Sequence, residues 1–398
     1  MTGQPPLPIY QLQEDHPKRN KICGISVWLL IVLVLLLATV GGVVGGLLGT
    51  RAHSSNSSKE GASPNTPNSN TTTPSANERP KFASIATAKA YNETYLQVFY
   101  LESTSLKASL FDGSWNDLGD LGPSIDPRLE SPLAAVSWVL SGNIQIRVYY
   151  FDNKNREIEL AGSCTGGGPP CTWTSATMLQ ASGISNNSSL AVVQWEDAVT
   201  GIEVRTMWEN TEGKLSGSVF TRGSWSPDTP FVDVLPGTPI TANVDSPSTP
   251  FTIRVWYRNP KSELNKIQYD SRNPGWKSPA PVITVQNTTT ISPYAPIGAS
   301  IIPANTSTNS SISSSLYLIQ DDKRPVVVYS RGNATRYTTN TDSLEAGDDS
   351  GGAIAALGWT DPADGGLRSV RVFYSKSGKI QEMVQKGDAW SVGAILGE

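Results

Sequence analysis

The chain has 398 residues, enough for one large domain or two ordinary ones, and a formal net charge of −4. That near-balance gives no reason to expect a nucleic-acid partner. Its two histidines, His16 and His53, both precede residue 82, which removes His-based acid–base chemistry and His-ligated zinc from everything after that point. Eleven Trp against three Cys predict a fold held by packed aromatic rings rather than by a disulfide framework.

Residues 1–21 are polar, contain proline and end in Lys18, Arg19 and Lys21; they read as a cytoplasmic tail. Residues 22–50 carry no charged side chain, a length that crosses a bilayer core of about 30 Å. A cleaved signal peptide is the alternative, but its apolar region would be only about 7–15 residues. Positive charge before the segment outweighs Arg51 after it, which predicts a single-pass type II signal anchor with everything beyond residue 50 extracellular or luminal. Gly41, Gly45 and Gly49 recur every four residues, a spacing that lets two such helices approach closely and would permit a homodimer; a Gly-rich helix without a partner is the plainer alternative. Residues 51–81 are rich in Ser, Thr, Asn and Pro, too polar to bury a core, and read as a disordered stalk. Asn-x-Ser/Thr acceptors for N-glycosylation occur at Asn56, Asn70, Asn92, Asn186, Asn187, Asn287, Asn305, Asn309 and Asn333, all on the side expected to be luminal.

From residue 82 onward one pattern recurs. Val370-Arg371-Val372-Phe373-Tyr374, a Ser-Gly turn and Lys379-Ile380-Gln381-Glu382 form a strand, a turn and a second strand. Ile146-Arg147-Val148-Tyr149-Tyr150 and Ile253-Arg254-Val255-Trp256-Tyr257 repeat it, with fainter copies around Gln97 and Arg205. The Arg column, counted from Gln97, steps by 50, 58 and 49 residues. Residues 82–398 therefore divide into six units of roughly 53 residues, within the range of propeller blades. Each unit reads as four strands; in the last they are 354–359, 369–375, 380–385 and 390–395. Most units close on a Trp, as in Gly113-Ser114-Trp115, Gly223-Ser224-Trp225 and Gly275-Trp276. No amphipathic helix pattern interrupts the array. The predicted fold is an all-β, six-bladed β-propeller of four-stranded blades, preceded by one transmembrane helix and a disordered stalk, since radial closure protects sheet edges.

Columns differ between units. Arg147 has Glu159 twelve residues on, and Arg371 has Glu382 eleven on. The first unit has Gln97 and Ala108 in these columns, the third Arg205 and Gly217, the fourth Arg254 and Lys266. In the fifth, Tyr317 falls in the Arg column with no matching acid. On this reading two of the six units keep the polar pair.

An Arg strand, a Glu on the next strand and a closing Gly-Trp resemble the fungal fucose-specific lectin family, over the whole region from about residue 82. The resemblance implies a six-bladed propeller that binds fucose or fucosylated glycans between adjacent blades, without catalysis or cofactor. It also implies that the stacking ring of each site comes from the following blade, Trp225 for Arg147 and Glu159, and Trp115, across the ring closure, for Arg371 and Glu382. A further aromatic would be expected just past the Glu column of that blade, where Ser218 and Ser109 stand, so a thin wall is expected. The chemistry is independent of the family. A guanidinium supplies planar donors to two adjacent sugar oxygens, a carboxylate accepts from the same hydroxyls, and a ring covers the sugar's apolar face. A plain structural ion pair is the competing account of each Arg–Glu couple. Cys164 and Cys171, seven apart in an oxidising compartment, are expected to pair; a metal site would need more ligands than this region offers.

Three functional classes stay open at this level: a membrane-anchored, non-catalytic sugar-binding protein, a propeller scaffold that has lost its sugar sites, and a glycosidase. The last would need two carboxylates flanking the scissile bond, about 5–10 Å apart, and no unit carries a distinctive pair.

Overall fold

A computed structural model describes residues 82–397 apart from 91–94, 123–125, 166–170, 175–176, 181–182, 247, 283–290, 303–312, 321–322, 324, 332–337, 341–346, 348–351, 362–366 and 388. The expected tail, anchor, Gly41–Gly45–Gly49 stripe and stalk lie outside the described residues. Among the described residues no helix is long and apolar enough to cross a membrane.

Six antiparallel sheets follow one another along the chain, each a meander of consecutive strands. Blade 1 is β1 (Phe82–Ala90), β2 (Tyr95–Glu102), β3 (Ser105–Phe111) and β4 (Trp115–Asp120). Blade 2 is β5 (Ala134–Leu140), β6 (Asn143–Phe151), β7 (Glu157–Cys164), β8 (Cys171–Trp173) and β9 (Thr177–Gln180). Blade 3 is β10 (Leu190–Asp197), β11 (Gly201–Glu209), β12 (Lys214–Thr221) and β13 (Ser224–Asp233). Blade 4 is β14 (Thr241–Val244), β15 (Thr252–Arg258), β16 (Leu264–Asp270), β17 (Asn273–Trp276) and β18 (Ala280–Pro281). Blade 5 is β19 (Ile297–Ile302), β20 (Ser313–Ile319), β21 (Pro325–Arg331) and β22 (Thr338–Asn340). Blade 6 is β23 (Ile354–Asp361), β24 (Leu367–Lys376), β25 (Lys379–Lys386) and β26 (Ala389–Leu396). The last blade matches the four strands expected from the sequence to within about two residues at each end. In blades 2 and 4 the outermost strand is broken, so that β8 and β9 both pair with β7, and β17 and β18 both pair with β16.

The first strands of the blades ring a central axis in the order β1, β5, β10, β14, β19, β23, and β23 returns to β1. The ring thus closes by packing blade 6 on blade 1, with every blade drawn from one continuous stretch and no strand exchanged between the ends. These inner strands converge, which favours small side chains: Gly358 lies so close to β19 that a Cβ would come within 3.0 Å of the Ile301 carbonyl oxygen. They line an axial channel of about 1040 Å³.

The core is six clusters, one between each pair of neighbouring blades. Val148 and Tyr150 pack on Phe99 and Leu101; Tyr149 and Phe151 turn the other way, onto Val204 and Trp208. This is the period of two of a strand whose two faces are both buried. The same alternation puts Val255 on blade 3 and Trp256 on blade 5, and Val372 on blade 5 and Phe373 on blade 1. Each large apolar side chain so buried stabilises the fold by about 1.5–3 kcal/mol.

Candidate functional site

Strand register fixes the columns. Arg147, Arg205, Arg254 and Arg371 stand opposite Ala161, Val219, Gln268 and Val384 on the third strand of their blades. Two residues on, Tyr149 faces Glu159 and Phe373 faces Glu382. By the same register Gln97 occupies the Arg column of blade 1, and Ser315, not Tyr317, that of blade 5. Tyr317 sits in the aromatic column with Phe373 and Tyr149; it faces Val327, so blade 5 has neither guanidinium nor acid in these columns.

Between blades 6 and 1 the expected residues meet. Arg371 Nη1 lies 2.5 Å from Glu382 Oε1. Glu382 Oε2 accepts the Trp115 indole N–H at 3.1 Å and the Ala394 backbone N–H at 2.9 Å. The Glu382 carboxylate has room because Gly393 stands beside it, where any Cβ would overlap it. The Trp115 ring meets Phe373 edge-on at 5.6 Å and Phe111 at 5.4 Å, and the Arg371 guanidinium lies 4.1 Å over Phe111. The thin wall expected at Ser109 is therefore corrected: the second ring is Phe111, three positions past the Glu column and directly opposite Trp115 across the β3–β4 hairpin. Gly113, at φ 108°, makes that tight turn.

Between blades 2 and 3 the set is looser. Arg147 Nε is 3.5 Å from Glu159 Oε1, its Nη1 donates to the Ile146 carbonyl at 2.8 Å, and its guanidinium lies 4.9 Å from the Trp138 ring. Tyr149 donates its hydroxyl to Glu159 Oε2 at 3.0 Å. Trp225 meets Tyr149 edge-on at 5.9 Å and Phe220 at 5.4 Å, and Phe220, again three past the column, replaces the thin wall expected at Ser218. Burial pushes the Glu159 carboxyl up, against the pull of Arg147 and the Tyr149 hydrogen bond; burial, with Glu159 beside it, pushes the Tyr149 hydroxyl well up.

Between blades 3 and 4 lies a set that sequence reasoning missed. Gly217 does occupy the Glu column, but its partner across β12 and β13 is Asp228, whose Oδ2 is 3.3 Å from Arg205 Nε. The Arg205 guanidinium lies 5.0 Å from the Tyr269 ring and 5.3 Å from the Trp276 ring, both on blade 4, and Arg205 Nη1 is buried without a hydrogen-bond partner. Three blades, not two, thus hold an Arg–acid pair walled by two rings of the next blade. The signal was present: Asp228 lies three residues past the closing Trp225, where Gly393 lies three past Trp390.

Other sequence expectations divide. Cys164 and Cys171 form a disulfide, as opposed residues on β7 and β8. Asn186 and Asn187 are exposed in a turn at the mouth of the axial channel; Asn56, Asn70, Asn92, Asn287, Asn305, Asn309 and Asn333 lie outside the described residues. Among the described residues no group of three His, Cys, Asp or Glu side chains forms a metal site.

The family model described as fungal fucose-specific lectin matches residues 80–397. The chain belongs to that family. A fucose-specific lectin of Aleuria aurantia is 27% identical over 168 residues, 41% of this chain and 50% of that protein, so the chain spans about half the length of this curated relative. Among solved structures, the SapL1 lectin in complex with alpha methyl fucoside superposes with a TM-score of 0.61 at 20% identity, covering 80% of this chain and 97% of the other. AofleA from Arthrobotrys oligospora gives 0.62 at 16% identity, covering 80% and 87%. At these identities the likeness is one of fold, and the sites of this family member rest on its own side chains.

Proposed function

We propose that this protein is a non-catalytic lectin that takes fucose or fucosylated glycans between its blades, anchored in a membrane by residues 22–50 with its propeller extracellular or luminal. One observation carries the reading. A guanidinium, a carboxylate and two rings from the next blade recur at equivalent places between blades 2 and 3, 3 and 4, and 6 and 1, with the acid drawn from a different strand in the second. An ion pair serving only to hold blades together has no need of the paired rings. Each set offers planar donors, an acceptor and an apolar wall, the groups a sugar with adjacent hydroxyls and a methyl-bearing face requires. Individual sugar contacts are weak, so several sites per chain and clustering in a membrane would raise avidity.

The test is a glycan array with the full-length protein in detergent, followed by calorimetric titration with α-methyl fucoside. The expected result is fucoside binding that falls stepwise with Arg147→Ala, Arg205→Ala and Arg371→Ala and vanishes in the triple variant. Absence of binding to any glycan at high protein density would overturn the proposal and leave the propeller a protein-interaction scaffold.

A further inference from the structure

Blade 4 carries the one Arg strand whose opposite column holds a cation. Lys266 faces Trp256 as Glu159 faces Tyr149 and Glu382 faces Phe373. Arg254, two residues before Trp256, shares its sheet face, which is turned to blade 5. Asn243 stands directly opposite Arg254 on β14, so it belongs to the same face.

The charges on this face do not balance internally. Asp245 takes one arm of the guanidinium, with Arg254 Nη2 at 3.1 Å from Oδ2, and its other oxygen accepts the Thr252 backbone N–H at 2.6 Å. Arg254 Nη1 is buried with no hydrogen-bond partner. Lys266 is half-buried and pairs with no carboxylate among the described residues. Burial holds its ammonium below the ordinary value, and Arg254 lowers it further. Asn243 is 8% exposed, yet neither its side-chain oxygen nor its nitrogen has a partner, and the buried Trp256 N–H has none either. Among the described residues, blade 5 packs Leu316, Leu318 and Val326 against this face.

Buried polar atoms are nearly always paired, so this many orphans on one face call for an external ligand. The orphans are mostly donors, one of them on the cation Arg254, and the Lys266 ammonium, without a carboxylate partner among the described residues, shares their face. Among the described residues no free carboxylate stands here to accept the proton of a neutral sugar hydroxyl, whereas an anionic oxygen would meet Arg254 Nη1 and the Lys266 ammonium together. We propose that the face between blades 4 and 5 is a site for an anionic saccharide, one bearing a carboxylate or a sulfate ester, held by Arg254 and Lys266. The inference rests on the reading that the inter-blade sites of this propeller take sugars.

The experiment titrates the full-length protein in detergent with fucose 4-sulfate, methyl glucuronide, α-methyl fucoside and inorganic sulfate. The expected result is that at least one anionic sugar binds in addition to the fucoside, more weakly as salt rises. Lys266→Met should weaken that sugar at least tenfold without changing fucoside binding, and Lys266→Arg should retain it. Lys266→Glu, which makes this column resemble blades 2 and 6, should abolish it. Which anionic sugar binds separates the carboxylate from the sulfate ester. Fucoside binding without any anionic sugar overturns this inference alone. Anionic-sugar binding that depends on Lys266, without fucoside binding, overturns fucose recognition and leaves this site standing. Equal affinity of wild type and Lys266→Met, or inorganic sulfate matching the sugars, also overturns it. The comparison of ligands on the wild-type protein decides the matter even where a variant folds poorly.

Discussion

Gly217 and Asp228 oppose each other across β12 and β13 in the places that Glu382 and Gly393 hold in blade 6, with acid and glycine exchanged. The exchange is enforced at Gly217, where a Cβ would overlap the Thr206 carbonyl oxygen of the neighbouring strand. No acid can stand there, and the β12–β13 hairpin, in regular register from its turn as far as Gly217 and Asp228, presents Asp228 to Arg205 from the outer strand instead. Asp228→Asn should therefore abolish one fucoside site per chain, seen as a drop in calorimetric stoichiometry, with the remaining sites unchanged. Gly217→Ala should lower stability by about 1–3 kcal/mol in denaturant unfolding, because backbone rather than a flexible side chain must give way. Gly217→Glu should not bind in place of Asp228. An unchanged stoichiometry in Asp228→Asn would remove blade 3 from the functional sites.

This pair also marks where the sequence stops being legible. The six units, their strands and the Arg147–Glu159 and Arg371–Glu382 couples follow from alternation and short turns, which are local. The meeting of Trp115 with Glu382 follows once the ring is closed. Asp228 follows in regular register from the β12–β13 turn, but it supplies the acid from the fourth strand, where a column read along the third strand does not look. The same limit explains Tyr317. Ser313-Ser314-Ser315 carries no apolar alternation and no Arg to anchor the repeat, so Tyr317 is taken for the Arg column, two positions out of register and on the same face. Phe111 and Phe220 were hidden for a related reason: the residue facing each closing Trp is set by the length of the hairpin between them, not by distance from the Glu column.

In the blade 6–1 site, stability and binding separate by variant. Glu382 is 3% exposed in its side chain and Arg371 14%, so Arg371→Ala leaves a buried carboxylate held only by the Trp115 and Ala394 N–H groups. Removing one partner of such a pair costs about 3–5 kcal/mol. Glu382→Gln in the Arg371→Ala background should recover part of that loss in thermal unfolding while restoring no fucoside binding. Trp115→Phe keeps a ring and deletes the N–H, and should cost about 1 kcal/mol of stability. If Arg371→Ala unfolds at the wild-type temperature, the pair is not the buried contact described.

The Cys164–Cys171 bond closes a short loop beside blade 1, where the Gln97 amide approaches Cys171 Sγ at 3.9 Å. Closing a loop this short stabilises by about 2–3 kcal/mol in the chain-entropy picture. A Cys164→Ala, Cys171→Ala protein should melt earlier yet keep its fucoside sites, since the sites assigned here lie on other blade interfaces. Loss of binding at the Arg371 site in that variant would show that the bond organises the whole ring.

Glu157 makes stability depend on pH. It is fully buried on β7, where Oε2 accepts the Trp208 indole N–H at 3.1 Å and the Ser218 hydroxyl at 2.9 Å across the blade 2–3 interface, and Oε1 has no partner. Burial raises its pKa above the ordinary 4.5; the Ser218 and Trp208 hydrogen bonds oppose that, and Glu159 adds to it. A raised pKa means that the folded state holds the proton more tightly than the unfolded chain. The stability this confers is complete below the ordinary carboxylate value and is lost as pH rises through the raised one. The melting temperature should accordingly fall over that window, and Glu157→Gln, neutral at every pH, should lack this part of the fall. Across the window the difference in stability should shift in the variant's favour as pH rises. What dependence persists then belongs in part to Glu159, also raised by burial, and should shrink further in Glu157→Gln, Glu159→Gln. Parallel melting curves for wild type and Glu157→Gln from pH 4 to pH 8 would sink this account.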